Sequence, residues 1–360
     1  MKKKLVSVLL CIAMVASLAV GCGSDTQEET AGENTEGADA AEEESDVQAD
    51  PVDTKKVYVT PDWVQSVIDG NQEESSDYVI LECSWGEEED SPSYTKGHVP
   101  GAYHMNTDSV ESEEMWNIRS AEEIEQLLLD YGITKDTTVI CYGEDGVNSA
   151  DDRVAIAFLW AGVENVKCLD GGLAAWNDAG YATESESNEP EAVEEFGITV
   201  PAHPEYIISI DDVQDKLEND DNFKLVSIRS EAEWLGETSG YSYIDRAGEP
   251  EGAIWGHDTD DGSYCNDDGT TVGVDVLEGY LAESGASLDN ELAFYCGTGW
   301  RAAIPFLIMY ENGYTNMELY DGGWYQWQMD DSNPVQVGDP ASDDCVHTTV
   351  GELSTDKAAE

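Results

Sequence analysis

The hydrophobic and polar positions of the chain predict short buried strands that alternate with helices. Four short, mostly apolar stretches have the length of buried strands, and they lie at 78–83, 139–142, 223–228 and 292–295. Four further stretches have a helical pattern, at 121–131, 154–160, 274–285 and 302–310. Strands that alternate with helices at this spacing indicate parallel pairing, and therefore an α/β layered fold.

The same pattern occurs twice along the chain. Each half contains an apolar run, a polar loop, a helix and an Asp-Gly-Gly sequence followed by tryptophan, at 170–176 in the first half and 321–327 in the second. The intervals from Gly162 to Gly172 and from Gly313 to Gly323 have the same length. Such a repeat predicts two similar domains.

We place the first predicted domain at 55–183 and the second at 200–333. The segment 184–199 is rich in Glu, Ser and Pro and is the predicted linker. Residues 334–360 are expected to form a loosely ordered tail.

One loop of the second half carries candidate chemistry. Cys296-Gly297-Thr298-Gly299-Trp300-Arg301 follows a predicted strand and precedes a predicted helix. Backbone N–H groups of such a loop, together with a helix N-terminus, favour an anion, and a thiolate is an anion. The loop therefore predicts a nucleophilic cysteine. The alternative is a buried cysteine that packs as a small apolar residue.

The N-terminus has the pattern of an export signal. Three lysines at 2–4 precede an apolar stretch at 5–20, which is too short to prefer a membrane-spanning helix. The ending Gly21-Cys22 resembles the lipobox of bacterial lipoproteins, which implies that Cys22 carries a lipid and that the protein is exported and anchored to the outer face of the bacterial cell membrane. An ordinary secretory signal is the alternative. The acidic segment 23–54 has almost no large apolar residue and is predicted to be a disordered tether.

The charge of the chain limits the classes of partner that it can bind. The chain has 78 acidic and 16 basic residues and a formal net charge of −62. This excess argues against nucleic acid and anionic membranes as partners, so the predicted membrane contact is through the lipid alone. We expect the pairs Asp151-Asp152 and Asp260-Asp261 to lie in surface loops. Cys-x-x-Cys and His-x-x-x-His spacings are absent, so we expect no metal site and no cofactor.

Together these sequences resemble the tandem-domain rhodanese family. The resemblance rests on Tyr94 with Gly97-His98-Val99-Pro100-Gly101-Ala102, on the two Asp-Gly-Gly sequences and on the Cys296 loop, and it covers about 56–328. It implies two three-layer α/β domains, each a mainly parallel sheet flanked by helices. It also implies that the first domain is catalytically silent. The corresponding loop at 143–148 has no cysteine and contains Glu144 and Asp145, which would repel an anionic donor.

The resemblance implies thiosulfate or 3-mercaptopyruvate sulfurtransferase activity, with Cys296 as the residue that accepts sulfur. A persulfide would form on Cys296 and pass to cyanide or a thiol, while the amides of Gly297 through Arg301 hold the donor. Arg153 of the first domain matches an arginine that binds the donor's acidic group, and its alternative role is an ion pair with Asp151 and Asp152.

Arg229 is a second candidate for substrate binding. It follows a strand where the family has Asp-x-Arg, but Ser227 replaces the aspartate. Its alternative role is a structural ion pair with Glu231 or Glu233. We expect Trp300 and Trp255 to line the cleft.

Two features of the sequence bear on the identity of the sulfur donor. The neutral sequence 297–299 is similar to loops that prefer 3-mercaptopyruvate, whereas an extracytoplasmic location favours thiosulfate, which we expect. A persulfide-carrying lipoprotein with little turnover is a further alternative. Four residues separate Cys296 from Arg301, one fewer than in related phosphatases, which disfavours phosphate chemistry. We expect a monomer in which Cys83, Cys141 and Cys168 are core residues. Cys265 and Cys345 could pair.

Overall fold

The computed structural model describes residues 54–146 and 149–359. The predicted leader with Cys22, and all of the predicted tether except Thr54, lie outside the described residues. Among the helices of the described part, none is long and apolar enough to cross a membrane.

The first domain is built on a parallel sheet with strand order β1-β5-β4-β2-β3. The strands are β1 (Tyr58–Val59), β2 (Tyr78–Ser84), β3 (Tyr103–Asn106), β4 (Thr138–Tyr142) and β5 (Asn165–Leu169). The helices are α1 (Pro61–Ile68), α2 (Pro92–Thr95), α3 (Ala121–Asp130), α4 (Ala150–Ala161) and α5 (Gly172–Asp178).

This sheet is covered on both faces, which explains why its central strands β2 and β4 are mostly apolar. Successive residues of β2 point to opposite faces, so Leu81 packs in one hydrophobic cluster with Phe158 of α4. Ile80 packs in another with Trp63 of α1. Helices on both sides of a parallel sheet confirm the predicted three-layer arrangement.

The second domain has a parallel sheet with strand order β10-β9-β6-β8 and a three-stranded antiparallel sheet with strand order β12-β11-β7. Its strands are β6 (Phe223–Ser227), β7 (Glu249–Pro250), β8 (Ile254–Trp255), β9 (Glu291–Tyr295), β10 (Met317–Leu319), β11 (Pro334–Val337) and β12 (Val346–Thr349). Its helices are α6 (Ile210–Asn219), α7 (Glu231–Trp234), α8 (Val274–Glu283), α9 (Ala303–Glu311) and α10 (Gly323–Trp327).

The segment 334–360 is not a loosely ordered tail, and the prediction for it was wrong. Strand β11 pairs with β7 and β12, and the side chain of Val335 is fully buried in the core of the second domain. Farther on, the carbonyl of Lys357 accepts a hydrogen bond from the Ser239 N–H at 2.8 Å. The prediction failed because strands of four residues among acidic turns leave no recognisable period.

Helices α4 and α9 join the two domains. Each follows the loop at the end of a central strand, and each is buried along most of its length. Phe158 of α4 and Phe306 of α9 belong to one hydrophobic cluster that contains residues of both parallel sheets. This packing brings the loop that begins at Cys296 against the first domain.

Candidate active site

Cys296 lies directly after β9, at the carboxyl end of a parallel strand, where ligands bind in open α/β sheets. Strand β9 lies between β10 and β6, so the loop leaves the middle of the sheet. The Gly299 N–H donates a hydrogen bond to Cys296 Sγ at 3.2 Å, and the cysteine is 1 % exposed. The loop thus folds around the sulfur as the sequence predicted, and the sulfur is covered.

Two glycines permit this conformation. Gly299 has φ +92°, and a Cβ there would lie 3.0 Å from Arg153 Nη1. Gly323, from the second Asp-Gly-Gly sequence, has φ +53°, and a Cβ there would collide with the carbonyl oxygen of Gly297 and lie 2.6 Å from that of Cys296. The Trp324 N–H donates to the Cys296 carbonyl at 2.8 Å. The start of α10 therefore packs against the backbone of the Cys296 loop and supports it.

Arg153 reaches the loop from the first domain, as the resemblance implied. It is fully buried, and its Nε donates to Glu111 Oε1 at 2.7 Å. Its Nη2 donates to the Trp116 carbonyl at 3.0 Å and lies 3.5 Å from Asp321 Oδ2. Within the described residues, Nη1 has no hydrogen-bond partner, and it is the atom beside Gly299. A buried donor without a partner is costly, so it suits a bound anion.

Asp151 and Asp152 are not ion-pair partners of Arg153, and their predicted place in a surface loop was wrong. Both are buried in the first turn of α4, because that helix is enclosed along its length. Burial raises the pKa of Asp151 to about 7, and Tyr58 donates a hydrogen bond to Asp152 at 2.9 Å. Ligand atoms of these two carboxylates and of Cys168 lie within 4.8 Å of one another.

Arg301 closes the loop and is held by acidic groups. Its Nη1 donates to Asp258 at 2.6 Å and to Glu233 at 2.9 Å, and its Nη2 donates to the Tyr241 hydroxyl at 2.7 Å. Burial alone would raise the pKa of Glu233, but Arg229 and Arg301 lower it to about 2. Burial raises the pKa of Asp258 to about 6, although Arg301 opposes the increase. The guanidinium charge is therefore offset within the protein.

Arg229 does not reach the cleft, which contradicts its prediction as a substrate-binding residue. Its guanidinium is fully buried and donates to Glu249 at 2.7 Å, to Glu233 at 3.3 Å, and to the carbonyls of Gly248 and Ser239. These acceptors occupy all three guanidinium nitrogens. Arg229 forms a structural ion pair, and Glu233 is one of the two partners that the sequence suggested.

A cavity of about 370 Å³ lies beside the loop. Its aromatic lining comes from both domains and consists of Trp85, Trp116, Tyr241, Tyr243 and Trp300. The Trp300 Nε1–H donates to both carboxylate oxygens of Glu111 at 2.9 Å. Trp255, in contrast, lies at a different cavity, stacked on His257, so its expected place in the cleft was wrong.

The remaining cysteines are free thiols in the described residues. Cys83, Cys141 and Cys168 are buried in strands, as predicted. Cys265 donates to the carbonyl of Gly146 at 3.2 Å, and Cys345 donates to the carbonyl of Gly338 at 3.6 Å.

Comparison with known families decides what the loop belongs to. The Rhodanese-like domain family matches residues 60–179 and again residues 209–330. The chain belongs to the rhodanese family. Its two rhodanese-like domains stand in tandem, and it is an enzyme of the sulfurtransferase type.

Three relatives illustrate this similarity. Thiosulfate sulfurtransferase YnjE of Escherichia coli is 38% identical over 85% of this chain and 70% of its own, and its crystal structure superposes with a TM-score of 0.73 over 78% of this chain and 68% of that chain. Thiosulfate/3-mercaptopyruvate sulfurtransferase 2 of Arabidopsis thaliana is 28% identical over 79% of this chain and 88% of its own. An anaerobic ergothioneine biosynthesis enzyme from Chlorobium limicola, in complex with its natural substrate trimethyl histidine, is 33% identical, with a TM-score of 0.74 over 81% of this chain and 73% of that chain.

Sequence reasoning missed several residues of the site. Glu111, Trp116, Tyr241 and Tyr243 lie in irregular segments, where periodicity gives no information. Asp321 was detectable, because it opens a repeated sequence. Its Oδ2 accepts a hydrogen bond from the Ile118 N–H at 2.8 Å, across the domain interface.

Proposed function

We propose that this enzyme transfers a sulfane sulfur from thiosulfate to a thiophilic acceptor through a persulfide on Cys296. One observation carries the proposal: the loop folds around Cys296 Sγ, and the unpartnered Nη1 of Arg153 lies beside it. The nucleophilic sulfur and a buried guanidinium N–H thus lie together where an anionic sulfur donor would bind. The similarity to proteins named thiosulfate sulfurtransferases supports the choice of donor.

The proposed reaction has two steps. The Cys296 thiolate attacks the outer sulfur of thiosulfate, the S–S bond of thiosulfate breaks, and sulfite leaves with the electron pair. Arg153 Nη1 and the loop amides hold the oxygens of the donor, because charge-assisted hydrogen bonds are strongest in a buried site. The acceptor, cyanide or a thiol, then attacks the outer sulfur of the persulfide and returns the thiolate.

Two alternatives share this site. The neutral sequence Gly297-Thr298-Gly299 is compatible with 3-mercaptopyruvate as the donor, and the Arabidopsis relative is named for both donors. A persulfide carrier with little turnover fits the burial of Cys296, since a covered sulfur is slow to meet an acceptor.

We further propose that the protein works outside the cytoplasm as a monomer anchored through a lipid on Cys22. Support comes from the basic and apolar leader before Gly21-Cys22. Labelling cells with a radioactive fatty acid tests the anchor: the wild-type protein should carry label and the Cys22→Ser variant should not. An unlabelled wild-type protein would contradict the anchor.

Thiocyanate production from thiosulfate and cyanide tests the reaction. Wild-type protein should turn over, whereas Cys296→Ala should be inactive, because it removes the nucleophile. Cys345→Ala removes a thiol outside the Cys296 loop and should keep the wild-type rate. Equal rates for wild type and Cys296→Ala would contradict the proposal. The intact mass of the protein after thiosulfate treatment separates an enzyme from a persulfide carrier. A mass increase of one sulfur atom without turnover identifies a carrier.

A further inference from the structure

The cavity beside the Cys296 loop has the chemistry of a cation site. Five aromatic side chains line it, together with the carboxylates of Asp108, Glu111 and Asp260. Among the described residues of this lining, Arg301 is the only cation, and Glu233, Asp258 and the Tyr241 hydroxyl already bind it. Asp260 adds a further carboxylate 3.6 Å from its Nη1. The cavity therefore offers an anion little attraction beyond Arg153 and the loop itself.

Two of the five aromatic side chains are exposed, which is unfavourable for stability. Trp85 is 71% exposed and Tyr243 is 49% exposed, although burial of such rings would stabilise the fold. The ring centroids of Trp116 and Tyr243 lie 4.8 Å apart. Trp116 also has φ +53°, a strained conformation for a bulky residue, and such strain is concentrated at functional sites. Both domains thus direct aromatic surface into one cavity.

From these groups we infer that the cavity is an acceptor subsite for a thiol that carries a quaternary ammonium group. Aromatic faces attract such cations, and the apolar shell of a quaternary ammonium packs on them better than a hydrated metal ion does. The carboxylates of Asp108 and Asp260 complement the charge, whereas Glu111 is already bound by Arg153 and Trp300. The strongly acidic surface of the molecule attracts cations over a longer range. The inference rests on the proposed sulfur transfer.

The transfer step to such an acceptor is balanced without a further reagent. The thiolate of the acceptor attacks the outer sulfur of the Cys296 persulfide and forms a new S–S bond. The bond between the two persulfide sulfurs breaks, and its electron pair leaves on Cys296 Sγ. The acceptor departs as a persulfide, and no net oxidation of the protein occurs. Ammonium binding in the cavity places the acceptor thiolate beside the loop.

Sulfite release from thiosulfate tests the subsite with three acceptors: thiocholine, 2-mercaptoethanol and 3-mercaptopropionate. They are respectively cationic, neutral and anionic, and are compared at equal thiolate concentration. We expect kcat/KM for thiocholine to exceed that for 2-mercaptoethanol by about tenfold, the scale of a desolvated cation–π contact. We expect 3-mercaptopropionate to be the poorest of the three. Cyanide serves as the acceptor that needs no subsite.

Variants assign the preference to the cavity. Trp85→Leu replaces an exposed ring, and Asp260→Asn replaces an exposed carboxylate, so neither should disturb folding. Each should reduce the preference for thiocholine about threefold or more. Asp267→Asn removes the same charge from an exposed position outside the cavity lining and should leave the preference unchanged.

The outcomes are distinguishable. Equal use of the three thiols by an enzyme that still works with cyanide overturns the subsite alone. A preference that survives unchanged in Trp85→Leu and Asp260→Asn also overturns it, because the general acidic field would then be the cause. No sulfite release with any acceptor, cyanide included, contradicts the proposed sulfur transfer itself.

Discussion

Arg301 is the one basic side chain of the Cys296–Arg301 loop, and its effect on a sulfur donor depends on the acidic residues around it. Asp258 and Glu233 contact the same guanidinium but differ in pKa. The pKa of Glu233 lies at about 2, so it contributes stability above pH 4.5 that is lost as pH falls through 2. The pKa of Asp258 is raised to about 6, so its contribution is present below pH 3.8 and lost as pH rises through 6.

We predict that Asp258→Asn increases kcat/KM for thiosulfate at pH 7.5 by about fivefold, because one negative charge is removed beside Arg301. At pH 5 wild-type Asp258 is itself protonated, so the ratio of variant to wild type should approach one. The asparagine Oδ1 can still accept the Asp260 N–H, which keeps the turn intact.

Asp267→Asn is the control for this pH profile and should give a ratio near one at both pH values. The charged groups that face Asp258 are Arg301, Glu233 and Asp260. A ratio that is constant with pH would contradict the raised pKa of Asp258.

Some residues of the site could be predicted from the sequence, and others could not. Cys296 and Arg301 were predictable, because they belong to one short loop between two recognisable elements. The partners of Arg153 and Arg301 were not, since Glu111 lies 42 positions from Arg153 and Glu233 lies 68 positions from Arg301. Burial of an ion pair is decided by tertiary packing, between the domains for Arg153 and within the second domain for Arg301, and no local pattern records it.

At the scale of elements, each domain places a loop between a central strand and a buried helix, with a Gly-Gly turn packed against the loop. Gly323 supports the Cys296 loop, and Gly172 has the same position against the loop of the first domain, where a Cβ would lie 2.7 Å from the Gly143 carbonyl. The long strands and helices were predictable from their apolar runs. Strands β7, β8, β11 and β12 were not, because two to four residues are too few to show a period.

We predict that Gly323→Ala and Gly172→Ala each lower the free energy of unfolding by about 2 kcal/mol, because both glycines have positive φ and close backbone neighbours. Only Gly323→Ala should also reduce kcat, by tenfold or more, since it displaces the Cys296 carbonyl. Urea unfolding gives the first quantity, and thiocyanate production at a temperature where both variants are folded gives the second. A similar loss of kcat in Gly172→Ala would refute the assignment of catalysis to the second domain.

For the whole molecule, the duplication extends to the contact between the domains. Asp321 of the second Asp-Gly-Gly sequence accepts the Ile118 N–H of the first domain at 2.8 Å, and Asp170 of the first such sequence accepts the Thr271 N–H of the second domain at 2.7 Å. The repeat predicted two domains of one kind, but this reciprocal contact depends on how α4 and α9 pack. The resulting interface fixes Arg153 beside Cys296.

The reciprocal contacts predict a loss of stability at each site, larger at Asp321, whose carboxylate also lies 3.5 Å from the buried Nη2 of Arg153. Asp321→Ala and Asp170→Ala each leave a backbone N–H at the interface without its acceptor, which costs about 1–3 kcal/mol. The two aspartates bind different backbone groups, so we expect the losses to add within about 0.5 kcal/mol in the double variant. Asp178→Ala changes an exposed aspartate at the end of α5 and should leave the free energy of unfolding nearly unchanged. Urea denaturation of the four variants and the wild type measures these differences. Losses no larger than that of Asp178→Ala would show that α4 and α9 hold the domains together without the two aspartates.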